Sequence, residues 1–302
     1  MRKNFMKKVV AGMLTAVMAF SLTACGGGDA STNDTAKEEG SSDVITVGFS
    51  QVGAESDWRT ANSESMKSTF TKDNGYELIF DDAQQKQENQ ISAIRNFIQQ
   101  DVDYIVLAPV TETGWDAVLG EAKQAGIPVI IVDRMVDVSD DSLYTAWVGS
   151  NFELEGKKAA AYLDAYMKAK NMKDMKLVNI QGTIGASAQI GRTKGLDDAV
   201  AANGWNLLDK TTGEFTQAKG QEVMQSFLKK YKKDINVVYC ENDNEAFGAI
   251  DAIKAAGYEV GADKDMMVFS FDSTKEGLKK VQSGEITLNT ECNPLHGPRV
   301  EA

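Results

Sequence analysis

One histidine, His296, and three cysteines, Cys25, Cys240 and Cys292, serve a chain of 302 residues. A lone histidine excludes most Ser-His-Asp, Cys-His and histidine-metal arrangements, so neither a catalytic residue nor a metal site is expected, and no cofactor. Three cysteines do not make a disulfide framework. Cys240 ends an apolar run and reads as a small buried hydrophobe; a bridge to Cys292 is the less favoured alternative. Basic charge is also short, with 32 Lys and Arg against 44 Asp and Glu and a net charge of −12. Residues 1–24 hold Arg2, Lys3, Lys7 and Lys8 and no acid; without them 28 basic residues face 44 acidic ones, or −16. Such a surplus opposes contact with phosphate backbones, and no nucleic-acid partner is expected.

What is present begins with an export signal. A basic start (Arg2, Lys3, Lys7, Lys8) precedes a mostly apolar stretch from Val9 to Leu22, too short to span a membrane comfortably. It ends in Leu22-Thr23-Ala24-Cys25, which resembles a bacterial lipobox whose cysteine becomes the lipid-modified first residue of the mature protein. The expectation is a signal peptide over 1–24 and a membrane anchor through lipid on Cys25. Residues 25–43 carry no large apolar side chain, so they read as a flexible tether.

From Val44 strands and helices alternate every 25–30 residues or so, the rhythm of βαβ crossovers and a parallel sheet. Strands are expected over 44–49, 76–80, 104–108, 127–132 and, shorter, 144–148. Helices are expected over 57–74, 87–100, around 115–124, and from Asn151 to about Lys170. The rhythm then restarts, with strands over 176–181, 206–211, 236–240 and 266–271. Helices between them carry apolar faces such as Val223, Phe227 and Tyr231. The fold class is α/β: two doubly wound, Rossmann-like lobes joined by a hinge, with a ligand cleft between facing strand ends. The lobes are expected over 44–150 plus 292–302 and over 151–291.

The most informative stretch is Ile127-Pro128-Val129-Ile130-Ile131-Val132-Asp133-Arg134. A continuous apolar run reads as a strand buried on both faces, and it empties into an acid and a base where open α/β sheets bind ligands. Asp133 and Arg134 either grip a polar, hydroxyl-rich ligand or form a surface ion pair; this stretch alone does not choose. Asp81-Asp82 and Asp140-Asp141 are adjacent acids that read as loop or strand-end charges. Gly182-Thr183-Ile184-Gly185-Ala186-Ser187 lacks the Gly-Lys-Ser/Thr ending of a phosphate loop and reads as a tight strand-to-helix turn. Paired carboxylates, Asp133 with Asp272 or Glu55, keep a glycosidase open as a minor alternative.

From Val44 onward the chain resembles the type I periplasmic binding proteins that capture sugars for ABC importers. The landmarks are Val47-Gly48-Phe49-Ser50-Gln51, Val132-Asp133-Arg134, Gln181-Gly182-Thr183, Gly191-Arg192, Asn242-Asp243 and Phe271-Asp272. Gly53-Ala54-Glu55-Ser56-Asp57-Trp58-Arg59 and Leu154-Glu155-Gly156-Lys157 are most similar to the galactofuranose-binding branch. The resemblance implies a monomeric, non-enzymatic, extracytoplasmic receptor that closes on one monosaccharide and delivers it to the transporter permease. A receptor for a sensor kinase or chemoreceptor is the alternative.

The resemblance also implies a site. Trp58 offers its face to ring carbons, while Glu55 and Arg59 reach hydroxyls; Asp133 and Arg134 bind hydroxyls; Arg192, Asn242 and Asp272 are polar ligands from the second lobe. Asn151 matches a hinge-side polar position, and capping the following helix explains it equally well. Family members continue past the equivalent of Pro294–Pro298 with a helix and further strand. From this an exposed apolar groove on the first lobe is expected.

Overall fold

The computed structural model describes residues 44–172 and 174–302; the expected signal peptide, Cys25 and the tether lie outside them. The first half runs β1 (Ile45–Gln51), α1 (Asp57–Thr69), β2 (Tyr76–Asp82), α2 (Gln87–Gln99), β3 (Tyr104–Leu107), α3 (Asp116–Ala125), β4 (Val129–Asp133) and β5 (Ala146–Gly149). The second runs α4 (Phe152–Ala169), β6 (Lys176–Gln181), α5 (Ser187–Asn203), β7 (Asn206–Thr212), α6 (Gln217–Tyr231), β8 (Val237–Cys240), α7 (Asp243–Ala255), β9 (Met267–Asp272), α8 (Lys275–Gln282), β10 (Leu288–Glu291) and α9 (Gly297–Glu301).

The strands form two five-stranded sheets, ordered β2-β1-β3-β4-β5 and β10-β9-β8-β6-β7, every pairing parallel. Read from its other edge, the second is β7-β6-β8-β9-β10, the same winding rule as the first. The chain thus folds one design twice, although the two halves show no close sequence repeat. Helices pack on both faces of each sheet, as the apolar runs require, though the α1 and α9 face of the first sheet is covered only in part. In β4 the residues alternate: Ile131 packs with Ile94, Phe97, Trp115 and Leu119 on one side, and Val132 with Phe49, Met66 and Phe70 on the other.

The chain crosses between sheets after β5 and again after β10, where the short α9 returns to pack on α1. The crossings lie side by side, with Cys292 Sγ 3.6 Å from Ser150 Oγ. An apolar groove lined by Val47, Phe70, Tyr76, Val106, Ile130 and Val300 lies on the first lobe.

Two local differences from the sequence reading have physical causes, and the cysteines fall as expected. The helix starting at Asp57 ends at Thr69, before a separate 3₁₀ turn over Lys72–Asn74. Ser68 and Thr69 both donate to the Ser65 carbonyl, a competition with the backbone ladder that disfavours continuation. Neither α8 nor β10 stands out in the sequence. Only Gly277 of α8 is buried, and β10 is a polar edge strand, Leu-Asn-Thr-Glu. Cys240 and Cys292 are both buried free thiols.

Candidate functional site

The loops at the carboxyl ends of β1, β4, β7, β8 and β9 and the N-termini of α1, α4 and α5 converge on one small cavity between the lobes. Glu55, Ser56, Trp58, Arg59, Asp133 and Arg134 line it from the first lobe. Ala188, Arg192, Phe215, Asn242 and Asp272 line it from the second, with Phe152 and Cys292 at the crossings.

On the first lobe two arginines and two carboxylates interlock. Ser56 caps α1 by accepting from Arg59 N at 3.1 Å, which places Glu55 and Arg59 one turn apart. Arg59 Nε donates to Glu55 Oε1 at 3.1 Å, and Arg59 Nη2 donates to Asp133 Oδ2 at 2.7 Å. Arg134 Nη1 donates to the Val110 carbonyl at 3.0 Å, and its Nη2 lies 3.6 Å from Glu55 Oε1. Burial works against the Arg59 charge, but Asp133 and Glu55 outweigh it and its pKa is raised. Arg134 shares the same acids less closely; burial and the neighbouring Arg59 guanidinium bring it down to about 10. It stays a cation at neutral pH. Asp133 takes a left-handed backbone, φ 63°, a conformation aspartate tolerates better than most residues; its carbonyl accepts from Trp147 Nε1 at 3.1 Å.

Three buried polar atoms of this quartet make no hydrogen bond: Glu55 Oε2, Arg59 Nη1 and Arg134 Nε, the last 4.0 Å from Asp133 Oδ2. Buried polar groups are nearly always satisfied. One free acceptor and two free donors on lining residues describe the complement of a hydroxylated ligand, because each hydroxyl both donates and accepts.

The second lobe behaves differently. Arg192 Nε donates to Glu155 Oε2 at 3.0 Å, Nη2 donates to Asp272 Oδ1 at 3.0 Å, and Nη1 donates to the Glu241 carbonyl. Burial opposes its charge, and Glu155 and Asp272 together hold its pKa well above normal. Burial pushes Asp272 up to about 7, against the pull of Arg192. Asp272 also has a strained backbone, φ 98°. Asn242 Oδ1 accepts from Glu245 N at 2.8 Å, capping α7, while Nδ2 donates to the Phe215 carbonyl at 3.0 Å. Asn242 therefore both caps a helix and holds the loop that carries Phe215.

Aromatic rings frame the charges. Trp58 is anchored by Nε1 donating to the Cys292 carbonyl at 2.7 Å and sits edge-on to His296, centroids 5.9 Å apart. Arg134 lies over the Phe215 ring of the other lobe at 5.0 Å. Trp58, Phe152, Ala188 and Phe215 form a small apolar cluster of their own.

Eight of the nine residues singled out in the sequence line this one cavity: Glu55, Trp58, Arg59, Asp133, Arg134, Arg192, Asn242 and Asp272. Asn151 does not. It is exposed, and its Oδ1 accepts from Leu154 N at 2.9 Å as the cap of α4. The sequence reading passed over Phe152, Phe215, Ala188 and Cys292 as cavity walls. Glu155, the second acid on Arg192, was noted only for resemblance. Phe215 lies in a loop where Glu214 and Phe215 both take positive φ, and no spacing rule points to it. The single histidine is explained by packing: His296 is buried behind Trp58, its Nδ1 3.1 Å from Asn62 Nδ2, and burial lowers its pKa.

Two wound lobes with an arginine- and carboxylate-lined cavity between their strand ends define a cleft-type small-molecule receptor. Residues 47–291 match the periplasmic binding protein domain, and the chain belongs to this family, with the type I fold. The galactofuranose-binding protein YtfQ of Escherichia coli (strain K12) is 45% identical over 262 residues, covering 85% of this chain and 80% of that protein. A crystal structure from Mycobacterium smegmatis in complex with β-D-fucofuranose aligns with TM-score 0.81 and 43% identity over 85% of this chain and 83% of that one. The binding protein of the arabinose ABC transporter from Shewanella sp. ANA-3, bound to α- and β-L-arabinofuranose, aligns with TM-score 0.79 and 45% identity over 85% and 84%. Its relatives are binding proteins, and the chain is a binding protein and not an enzyme.

Proposed function

We propose that this chain is the extracytoplasmic sugar receptor of an ABC importer, which closes on one monosaccharide in the furanose form, galactofuranose foremost, and hands it to the membrane permease. The observation that carries this reading is the set of unpartnered atoms, Glu55 Oε2, Arg59 Nη1 and Arg134 Nε, buried on residues that line a cavity walled by Trp58, Phe152 and Phe215. Leaving a buried donor or acceptor atom of a charged group without a hydrogen bond is costly. A polyhydroxyl ring that supplies acceptors to the arginines and a donor to the glutamate removes that cost, and its C–H faces suit the aromatic walls. The ring form is supported by relatives at 43–45% identity whose structures hold fucofuranose and arabinofuranose.

Catalysis by the carboxylates is disfavoured by their engagement. Asp133 is bonded to Arg59 and Asp272 to Arg192, so neither is poised as a free acid or nucleophile. Lipid on Cys25 gives the receptor its membrane anchor, and residues 25–43 give it reach. Among the described residues no helix is long and apolar enough to cross a membrane. Titration calorimetry against a panel of monosaccharides tests the reading: one molecule bound per chain, with pentoses and hexoses rich in furanose preferred and no product released. Failure of every monosaccharide overturns it.

A further inference from the structure

The cavity residues are not what holds the lobes together at the rim. Three hydrogen bonds cross between the lobes outside the cavity, and each lands on a backbone segment that carries or braces a binding charge. Asn244 Oδ1, in the first turn of α7, accepts from Asp57 N at 3.1 Å. Asp57 follows Glu55 and Ser56 and is the first residue of α1, so its N–H has no partner within its own helix. Ser187 Oγ, at the first position of α5, accepts from Met135 N at 2.9 Å. Met135 is the residue after Arg134. The Gly185 carbonyl accepts from Glu112 N at 2.8 Å, two residues after Val110, whose carbonyl receives Arg134 Nη1.

Neither Ser187 nor Asn244 lines the cavity, and both side chains are nearly buried. Ser187 opens α5 yet caps nothing in it; the preceding Ala186 has no capping side chain. Both side chains therefore spend their acceptors on the other lobe. When the lobes separate, both amide groups return to water, and the segments 55–57 and 133–135 lose an external brace.

We infer that Ser187 and Asn244 are positioning residues that latch the closed form and, through the Asp57 and Met135 amides, hold the Glu55–Arg59–Asp133–Arg134 quartet in its ligand-binding arrangement. This rests on the reading of the cavity as a sugar site. Ligand retention is then set by groups that never touch the ligand, and dissociation requires both latches to break.

The test uses the full chain with D-galactose, whose solution equilibrium includes the furanose ring, as probe. Ser187→Ala and Asn244→Ala each weaken the Kd about tenfold, the equivalent of about 1.4 kcal/mol, through a faster off-rate with the on-rate within about twofold. Ser187→Thr keeps the hydroxyl and restores wild-type retention, which a merely structural role for the site does not predict. In sugar-free protein the two alanine variants speed amide exchange at Asp57 and Met135. Wild-type off-rates in both alanine variants, or a loss carried by the on-rate, overturn the inference. If the wild type itself ignores the sugar, the sugar reading fails by that result, and unchanged amide exchange at both positions in the variants overturns the latch independently.

Discussion

At the scale of single residues, the site divides its work between lobes. The first lobe keeps unfilled hydrogen-bonding capacity on Glu55, Arg59 and Arg134. The second spends its charges internally, since Arg192 is held by Glu155, Asp272 and the Glu241 carbonyl. Asp133 sits at the centre of the first group, so Asp133→Ala is expected to cost about 2–5 kcal/mol of binding, chiefly because Arg59 is left buried without its closest acid; calorimetry at neutral pH reads it. Glu241 gives a prediction about stability. Burial pushes its carboxyl up to about 7 from an ordinary value of about 4.5, despite bonds from Thr193, Gly182 N and Asn179. For an acid whose folded pKa is raised, the unfolded chain loses its proton first. Stability therefore falls as pH rises from about 4.5 to about 7, and levels off above. Glu241→Gln removes that loss, so denaturant titrations at pH 5 and pH 8 should differ by about 2–3 kcal/mol less in the variant than in the wild type. An unchanged difference assigns the pH dependence to other groups. Asp133, Arg134 and Asp272 were legible in the sequence because each ends an apolar strand, where a charge has no packing purpose. Phe215 and Phe152 were not, because an aromatic in a loop or at a helix start looks the same whether it faces a ligand or a core.

At the scale of elements, α4 and α5 decide where Arg192 stands. The two helices approach so closely that a Cβ on Gly195 would lie 2.5 Å from the Gly156 carbonyl carbon and the Lys157 nitrogen, and one on Gly191 would lie 2.6 Å from Glu153 N. These neighbours are backbone and cannot swing away. Glu155 precedes Gly156 and Arg192 follows Gly191, so the close contact is what lets the pair meet at 3.0 Å. Gly195→Ala gains up to about 1 kcal/mol of helix propensity but forces the helices apart, an overpacking cost of about 1–3 kcal/mol. The second effect is expected to win. Thermal melting should show a lower Tm, accompanied by weaker ligand binding as Arg192 shifts; a higher Tm would show that the helices separate without cost. Strand and helix boundaries were mostly readable in the sequence, since β-branched runs and 3.6-residue apolar spacing mark buried elements. The elements that escaped notice, α8 and β10, are the ones with little buried surface, where periodicity has nothing to report.

At the scale of the whole molecule, one winding rule used twice produces facing strand ends, and facing strand ends produce a cavity that neither lobe forms alone. The two-lobed α/β architecture followed from the restart of the strand-helix rhythm after Asn151, long before any side chain was placed. What the rhythm does not encode is the closure itself, which depends on pairs distant in sequence, such as Asp57 with Asn244 and Met135 with Ser187. The proposed lipid anchor belongs to this scale too. In a host that processes lipoproteins, metabolic labelling with palmitate should mark the wild-type chain and leave Cys25→Ser unlabelled; label on the variant would reject lipidation at that cysteine.

The central claim is that the unpartnered atoms of Glu55, Arg59 and Arg134 are seats for ligand hydroxyls. Calorimetric titration of galactofuranose against its monodeoxy analogues tests it most directly. Because a missing hydroxyl strands a buried charged group, at least one analogue should bind about 10⁴-fold more weakly. Equal affinity across the series would contradict the account.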